Sequence, residues 1–213
     1  MKEKIFTAFN LSETAYRDIV EPADEQQHLL TKLSPLSIEE ADAMRSYDEA
    51  FLVRFTYNSA AIEGSTLTLI DTELVLEGEF MPSDGNDKRL RDVFAARGIA
   101  DGCDFAERAL EHKAPLTESL IRGIHERTAL DCQPRTRGMH RSSAGYIRES
   151  ETVPVEADLV RESMADLMFA WENSEEHPLV KAAAFHAMLE NIHPFQDGNG
   201  RAGIGQTRKA AGA

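Results

Sequence analysis

A mainly helical domain carrying one short β-hairpin is predicted, and three observations carry that reading. Apolar side chains recur at three- and four-residue spacing through most of the 213 residues. Helix start and stop signals punctuate the periodic stretches. One segment, Arg141 to Val155, breaks the pattern and reads as strand, turn, strand.

Taken in order, Ser37-Ile38-Glu39-Glu40 has the form of a capping box. The helix behind it places Met44, Tyr47, Phe51, Phe55 and Tyr57 to Ile62 along an apolar face, with Gly64 as a stop just past its end. Thr68-Leu69-Ile70-Asp71 starts a second helix, with Leu74 and Val75 on its buried side. The run SDGNDK, Ser83 to Lys88, is a turn, and helix resumes near Arg89. Leu116-Thr117-Glu118 opens another helix, with Leu120, Ile121, Ile124 and His125 on one side. Ala157 to Trp171 is amphipathic, turning Leu159, Val160, Met164, Leu167 and Met168 inward, and Pro178 suits the first turn of a helix running to Ile192. In the exceptional segment, Ala144 to Arg148 and Thr152 to Val155 form the hairpin, and Pro154 marks an edge strand.

Hydrophobic residues make up 42% of the chain, enough for a sizeable core, while the formal net charge is −14. That charge argues against general nucleic-acid binding and against anionic membranes. No apolar run nears the roughly 20 residues of a membrane span, and MKEKIFTAFN lacks the apolar stretch of a signal peptide. The two cysteines, Cys103 and Cys132, have no metal-like spacing, so a reducing cytoplasmic setting is expected. The expected division is an N-terminal helical arm over 1–35, one domain over 36–203, and a separate tail over 204–213.

Chemistry concentrates in HPFQDGNGRAGIGQTR, His193 to Arg208. Gly198 to Gly203 spells G-x-G-x-x-G, but a helix precedes it where a dinucleotide fold needs a strand. No G-K-[ST] follows for a Walker loop, and no closing acid for an EF-hand. His186, Glu190 and His193 share a helix face at zinc-like spacing, yet His186 reads better as a helix histidine among alanines. A phosphate cradle explains the whole string. Gly198 and Gly200 free the backbone to aim N–H groups at an anion, and a helix restarting at Arg201 would add its dipole. Arg201 can bond phosphate oxygens, Asp197 can hold Mg²⁺ beside substrate phosphates, and His193 is a general base. The same DGN at Asp84-Gly85-Asn86 lacks a nearby upstream histidine and needs no more than a turn.

His193 to Arg201, HPFQDGNGR, resembles the core of the Fic (Fic/Doc) motif H-x-F-x-[DE]-G-N-G-R-x-x-R at nine contiguous positions. The resemblance implies a helical domain that moves AMP from ATP to a hydroxyl side chain (Ser, Thr or Tyr) of a target protein. It implies His193 as the base, Asp197 as the Mg²⁺ ligand, and Phe195, Gly198, Asn199, Gly200 and Arg201 around the nucleotide. Ser59-Ala60-Ala61-Ile62-Glu63-Gly64 is similar to the family's inhibitory motif. By that likeness a helix over about 42–63, carrying Ser59 and Glu63, obstructs the γ-phosphate position. Residues 141–155 take the place of the family's flap, with Gly145, Tyr146 and Ile147 docking an extended target segment. GSTLTLIDTE, PLTESLIRGIH and HPLVKAAAFHAMLENIHPF extend the likeness intermittently from about 57 to 203.

Two departures stand against it. The motif's last arginine falls at position 204, where this chain has Ile204, so Glu63 is expected to lack its arginine partner, with Arg208 one turn further on. The tail IGQTRKAAGA cannot bury the apolar surface of the long helix the family carries there. An adenylyltransferase is therefore expected, with removal of AMP using Glu63, or a catalytically impaired nucleotide-binding or interaction module, as alternatives. Self-association stays open.

Overall fold

A computed structural model describes residues 12–30, 32, 35–80, 87–147 and 152–203. Its helices are α1 (Glu13–Leu30), α2 (Ile38–Ile62), α3 (Leu69–Glu77), α4 (Asp87–Glu111), α5 (Glu118–Thr128), α6 (Val160–Asn173) and α7 (Pro178–Ile192). A 3₁₀ turn, Ala157–Leu159, runs into α6, and a helical turn over 199–203 follows α7. Among the described residues there is no strand, only an isolated antiparallel bridge between His140 and Phe195.

The helix boundaries follow from side-chain chemistry. The Ser37 hydroxyl accepts from the Glu40 N–H at 3.2 Å while the Glu40 carboxylate accepts from the Ser37 N–H at 2.8 Å, a reciprocal box that starts α2. Thr68 and Asp71 repeat the device for α3, and Thr117 accepts from Leu120 N–H to open α5. Gly64 ends α2's terminal turn at φ +87°, where a side chain would be strained.

Among the described residues, three apolar clusters hold the bundle. The largest joins Leu116 and Ile121 with Val160, Met164, Leu167 and Met168 of α6 and Phe185, Leu189 and Ile192 of α7; Phe195 and Ala202 close it. Leu67, Val75, Val93 and Ala96 fasten α3 to α4, and Ala60, Ile99 and Cys103 fasten α2 to α4. At Gly98 a Cβ would lie 2.7 Å from the Thr128 carbonyl oxygen, so α4 approaches the end of α5 where only glycine fits. That approach fixes the position of a carbonyl used by the site below.

The expected inward face of α2 is corrected. Its buried residues are Thr56, Ser59 and Ala60, all in the C-terminal half, whereas Met44, Tyr47 (64% exposed) and Phe51 face out. A 25-residue helix is about 37 Å long, and its first half overhangs the bundle. Tyr47, Phe51 and Phe55 stack on one another along the helix at centroid spacings of 6.5 and 5.9 Å, and Phe55 reaches the cluster around Ala60. Leu159 is likewise exposed, because the 3₁₀ turn shifts it off the face of α6. The expected hairpin shows no strand pairing over 144–147 and 152–156, and its turn at 148–151 lies outside the described residues. The turn at 83–86 and the tail, including Ile204 and Arg208, also lie outside them. Cys103 and Cys132 form no disulfide.

Candidate active site

The motif loop begins where α7 stops. His193 caps the helix in the left-handed conformation, φ 51° and ψ 60°, and its N–H reaches the Leu189 carbonyl at 2.8 Å. An L-residue at positive φ is costly, so surrounding contacts must hold it. The Arg141 guanidinium supplies one, at the His193 carbonyl, and Asn199 fixes the loop just beyond. The Asn199 side-chain carbonyl accepts from Phe195 N–H at 2.8 Å and its amide donates to Phe195 C=O at 2.9 Å, closing residues 195–199 into a ring. Gly198 takes φ +75° inside that ring, and its N–H donates to the Asp197 carboxylate at 2.8 Å. The helical turn over 199–203 then starts with its N-terminal amides at the loop.

Two residues that sequence reasoning did not single out for this site lock the loop from outside. The His125 ring lies parallel to Phe195, 9° apart with centroids at 3.8 Å. Its Nδ1 accepts from Gly138 N–H at 2.8 Å, which leaves Nε2–H to donate to the Asp197 carbonyl at 2.8 Å. Burial lowers His125 from 6.5 to about 4, and a second proton would cost the bond from Gly138. The unfolded chain therefore gains a proton that the folded chain refuses as pH falls from 6.5 toward 4. This contribution to stability is full above pH 6.5 and about 3 kcal/mol of it is lost by pH 4. Urea unfolding at pH 7 and 4.5 should show a steeper decline for the native chain than for His125→Gln.

Arg141 is the second lock. It is buried, and its guanidinium donates to the carbonyls of His193 at 2.7 Å, Ile192 at 3.2 Å, Ser143 at 2.9 Å, and Val155. Its backbone N–H adds a bond to Pro194 C=O at 2.8 Å. One cation thus satisfies carbonyls left over at the end of α7, lies at the negative end of that helix, and ties it to both arms of the 141–155 segment. The guanidinium does the work expected of strand pairing. Arg141→Ala would leave several buried carbonyls unpaired and should destabilise the chain by about 3 kcal/mol or more, read as a lowered urea midpoint.

Arg201 is the electrostatic centre. Its side chain is 2% exposed. Nη1 lies 2.5 Å from Asp131 Oδ1 and donates to Thr128 C=O at 3.1 Å, while Nη2 lies 3.4 Å from Asp131 Oδ2. Glu63 Oε2 approaches Nε to 2.8 Å, an ion contact outside hydrogen-bonding geometry. Glu63 therefore has an arginine partner, contrary to expectation: the motif's first arginine takes the place of the one absent at 204. Burial alone would lower Arg201, but Glu63 and Asp131 outweigh it and raise its pKa. Glu63 is raised chiefly by burial, with Arg201 opposing and the charges of Asp197, Asp131 and Glu190 adding to the rise. The Glu63 carboxylate also overlies the loop, 3.6 Å from where a Cβ on Gly200 would stand.

The fold brings together His193, Asp197, Gly198, Asn199, Gly200, Arg201 and Glu63. Burial lowers His193, so its imidazole is neutral near pH 7 and able to accept a proton. Phe195 is 0% exposed and presents no surface to a ligand; its ring is the loop's anchor. Asn199 spends its side chain on the loop, so its backbone N–H is what it can offer an anion. Ser59 is buried on α2. In the flap segment, Ser143 bonds Gln196 at 2.9 Å, Gly145 packs on the Arg141 guanidinium, and Tyr146 is exposed. His186 and Glu190 face Gly203, and among the described residues no three His, Cys, Asp or Glu side chains converge on a metal position. A single exposed carboxylate, Asp197, suits Mg²⁺, which binds through one or two carboxylates plus phosphates and water. His125, Asp131 and Arg141 carried only the signal of being polar residues in otherwise buried or turn-forming stretches.

Comparison with known proteins agrees with this geometry. Residues 115–205 match the family model described as Fic/DOC family. The protein adenylyltransferase Fic of Drosophila yakuba is 31% identical over 192 residues, 86% of this chain and 38% of the relative. Protein adenylyltransferase fic-1 of Caenorhabditis briggsae is 30% identical over 172 residues, 77% of this chain and 32% of the relative. The chain thus spans about a third of the length of these curated relatives. A solved Fic family protein from Desulfovibrio desulfuricans superposes with a TM-score of 0.73 at 29% identity, covering 95% of this chain and 58% of that one. Motif, fold and relatives coincide, and residues 115–205 of this chain are a Fic/DOC-family domain.

Proposed function

We propose that this chain is a Mg²⁺-dependent protein adenylyltransferase that Glu63 holds in check. The observation that carries the reading is Glu63 lying against Arg201 over the Gly198–Gly200 loop, beside a neutral His193. ATP is the donor, and a protein Ser, Thr or Tyr hydroxyl is the acceptor. His193 takes the hydroxyl proton as that oxygen attacks the α-phosphorus. The α–β bridging oxygen leaves with pyrophosphate, and AMP stays on the target. The backbone amides of Asn199 and Gly200 are offered to the developing charge, the Gly198 N–H being held by the Asp197 carboxylate, and Arg201 orders that loop from beneath. Asp197 would hold Mg²⁺, which offsets phosphate charge when bound.

Within this reading, 36–203 is the working domain. The inhibitory helix is α2, Gly145 to Ile147 guide the target, 1–35 is an accessory arm and 204–213 an atypical tail. No helix among the described residues is long and apolar enough to cross a membrane, and we place the activity in the cytoplasm, with no nucleic-acid partner. Incubation with Mg²⁺ and ATP labelled at the α-phosphate tests the whole. Covalent labelling of protein that depends on His193 is the expected result, and nucleotide binding without labelling in any form would leave only an interaction module.

A further inference from the structure

Beside Asp197 lies a cavity of about 540 Å³ walled by Arg91, Asp131, Gln133, Thr136, Gln196 and Asp197. That volume is within the range of small-molecule and cofactor sites. Two guanidiniums meet at its Asp131 wall, because Oδ2 of Asp131 is 3.4 Å from Arg201 Nη2 and 3.6 Å from Arg91 Nη2. They are not equivalent. The Arg201 side chain is 2% exposed and already has Asp131, Thr128 C=O and Glu63 around it. The Arg91 side chain is 63% exposed on the first turns of α4, and its long contact with Asp131 is its only ion pair among the described residues. An exposed pair of that kind is worth little and is readily given up.

A ligand entering this cavity therefore meets Arg91 as its accessible cation and Asp197 as a carboxylate. Asp197 would repel a bare anion, so the chemistry that satisfies both walls is a polyphosphate carrying a divalent cation. The cation goes to the carboxylate and phosphate oxygens go to the guanidinium. We propose that Arg91 is a nucleotide-binding residue, taking the phosphates beyond the α-phosphate of a metal-bound nucleoside triphosphate in this cavity. This rests on the adenylyltransferase reading of Asp197. It assigns Arg91, which lies outside both the motif and the matched residues 115–205, to discrimination between triphosphate and monophosphate.

The test is calorimetry on the full chain in a Glu63→Gly background, with Mg²⁺ and either a non-hydrolysable ATP analogue or AMP. Arg91→Ala is expected to weaken the triphosphate analogue about tenfold, the loss of one charge-assisted contact, while AMP changes by less than about twofold. Arg91→Lys, keeping the charge without the fork, should restore part of the difference. Thermal melting checks that each variant is folded, which the exposure of Arg91 favours. An unchanged triphosphate-to-monophosphate ratio in both variants overturns the assignment of Arg91 and leaves the adenylyltransferase reading standing. Failure of the parent Glu63→Gly chain to bind either nucleotide overturns both.

Discussion

Alanine at His193 is expected to lower transfer of AMP to protein by about two to four orders of magnitude, the usual contribution of a positioned general base. The position is demanding, because His193 caps α7 at positive φ and its carbonyl receives the Arg141 guanidinium at 2.7 Å. Substitution leaves those backbone bonds in place, so nucleotide affinity should change little while turnover collapses. The measurement is labelling rate against ATP concentration, which separates kcat from KM. Burial lowers the His193 pKa, so the acidic limb of the rate profile lies below that of an ordinary imidazole. A variant retaining a tenth of the native rate would assign the proton transfer elsewhere.

Glu63→Gly is the second large effect, with labelling expected to rise at least about tenfold, equivalent to 1.4 kcal/mol of lost restraint. Glu63 stands 2.8 Å from Nε of Arg201 and overlies the Gly200 backbone. Its removal frees that space and unmasks one guanidinium edge. The Asp131 and Thr128 contacts remain, so Arg201 should keep its place under the loop. Loss of one partner leaves Arg201 paired and no buried charge isolated, which is why activation without collapse is expected. Should the chain instead remove AMP from modified proteins, the same variant would abolish activity. Comparing labelling with release of AMP from a labelled target distinguishes the two directions.

Several features were legible from local chemistry alone. The Ser37–Glu40 and Thr68–Asp71 boxes, Pro178 at the head of α7 and Gly64 beyond α2 each act within a few residues, and each appears where the pattern places it. The inward run of Val160, Met164, Leu167 and Met168 is equally local, a helical period meeting a core. What periodicity could not convey is that a partner must exist for an apolar face. Tyr47 continues the pattern of α2 yet is 64% exposed, since the first half of the helix outruns its neighbours. The hairpin expectation illustrates the same limit, because whether extended segments pair depends on what else reaches their carbonyls, and Arg141 reaches Ser143 and Val155.

By itself, the sequence determined the mainly helical class, through its helical periodicity, and it singled out the nine contiguous residues His193 to Arg201 for which we propose a base, a metal-binding carboxylate and a glycine loop. Tertiary structure alone decided how the charges pair. Glu63, Asp131 and Arg201 come from three separate parts of the chain, and only the packing of α2, α4 and α5 brings both carboxylates onto one buried guanidinium. The absent arginine at 204 suggested an unpartnered Glu63, yet burial of Arg201 next to it supplied the opposite charge. Pairing energy depends on distance and burial, and neither can be read from position along the chain.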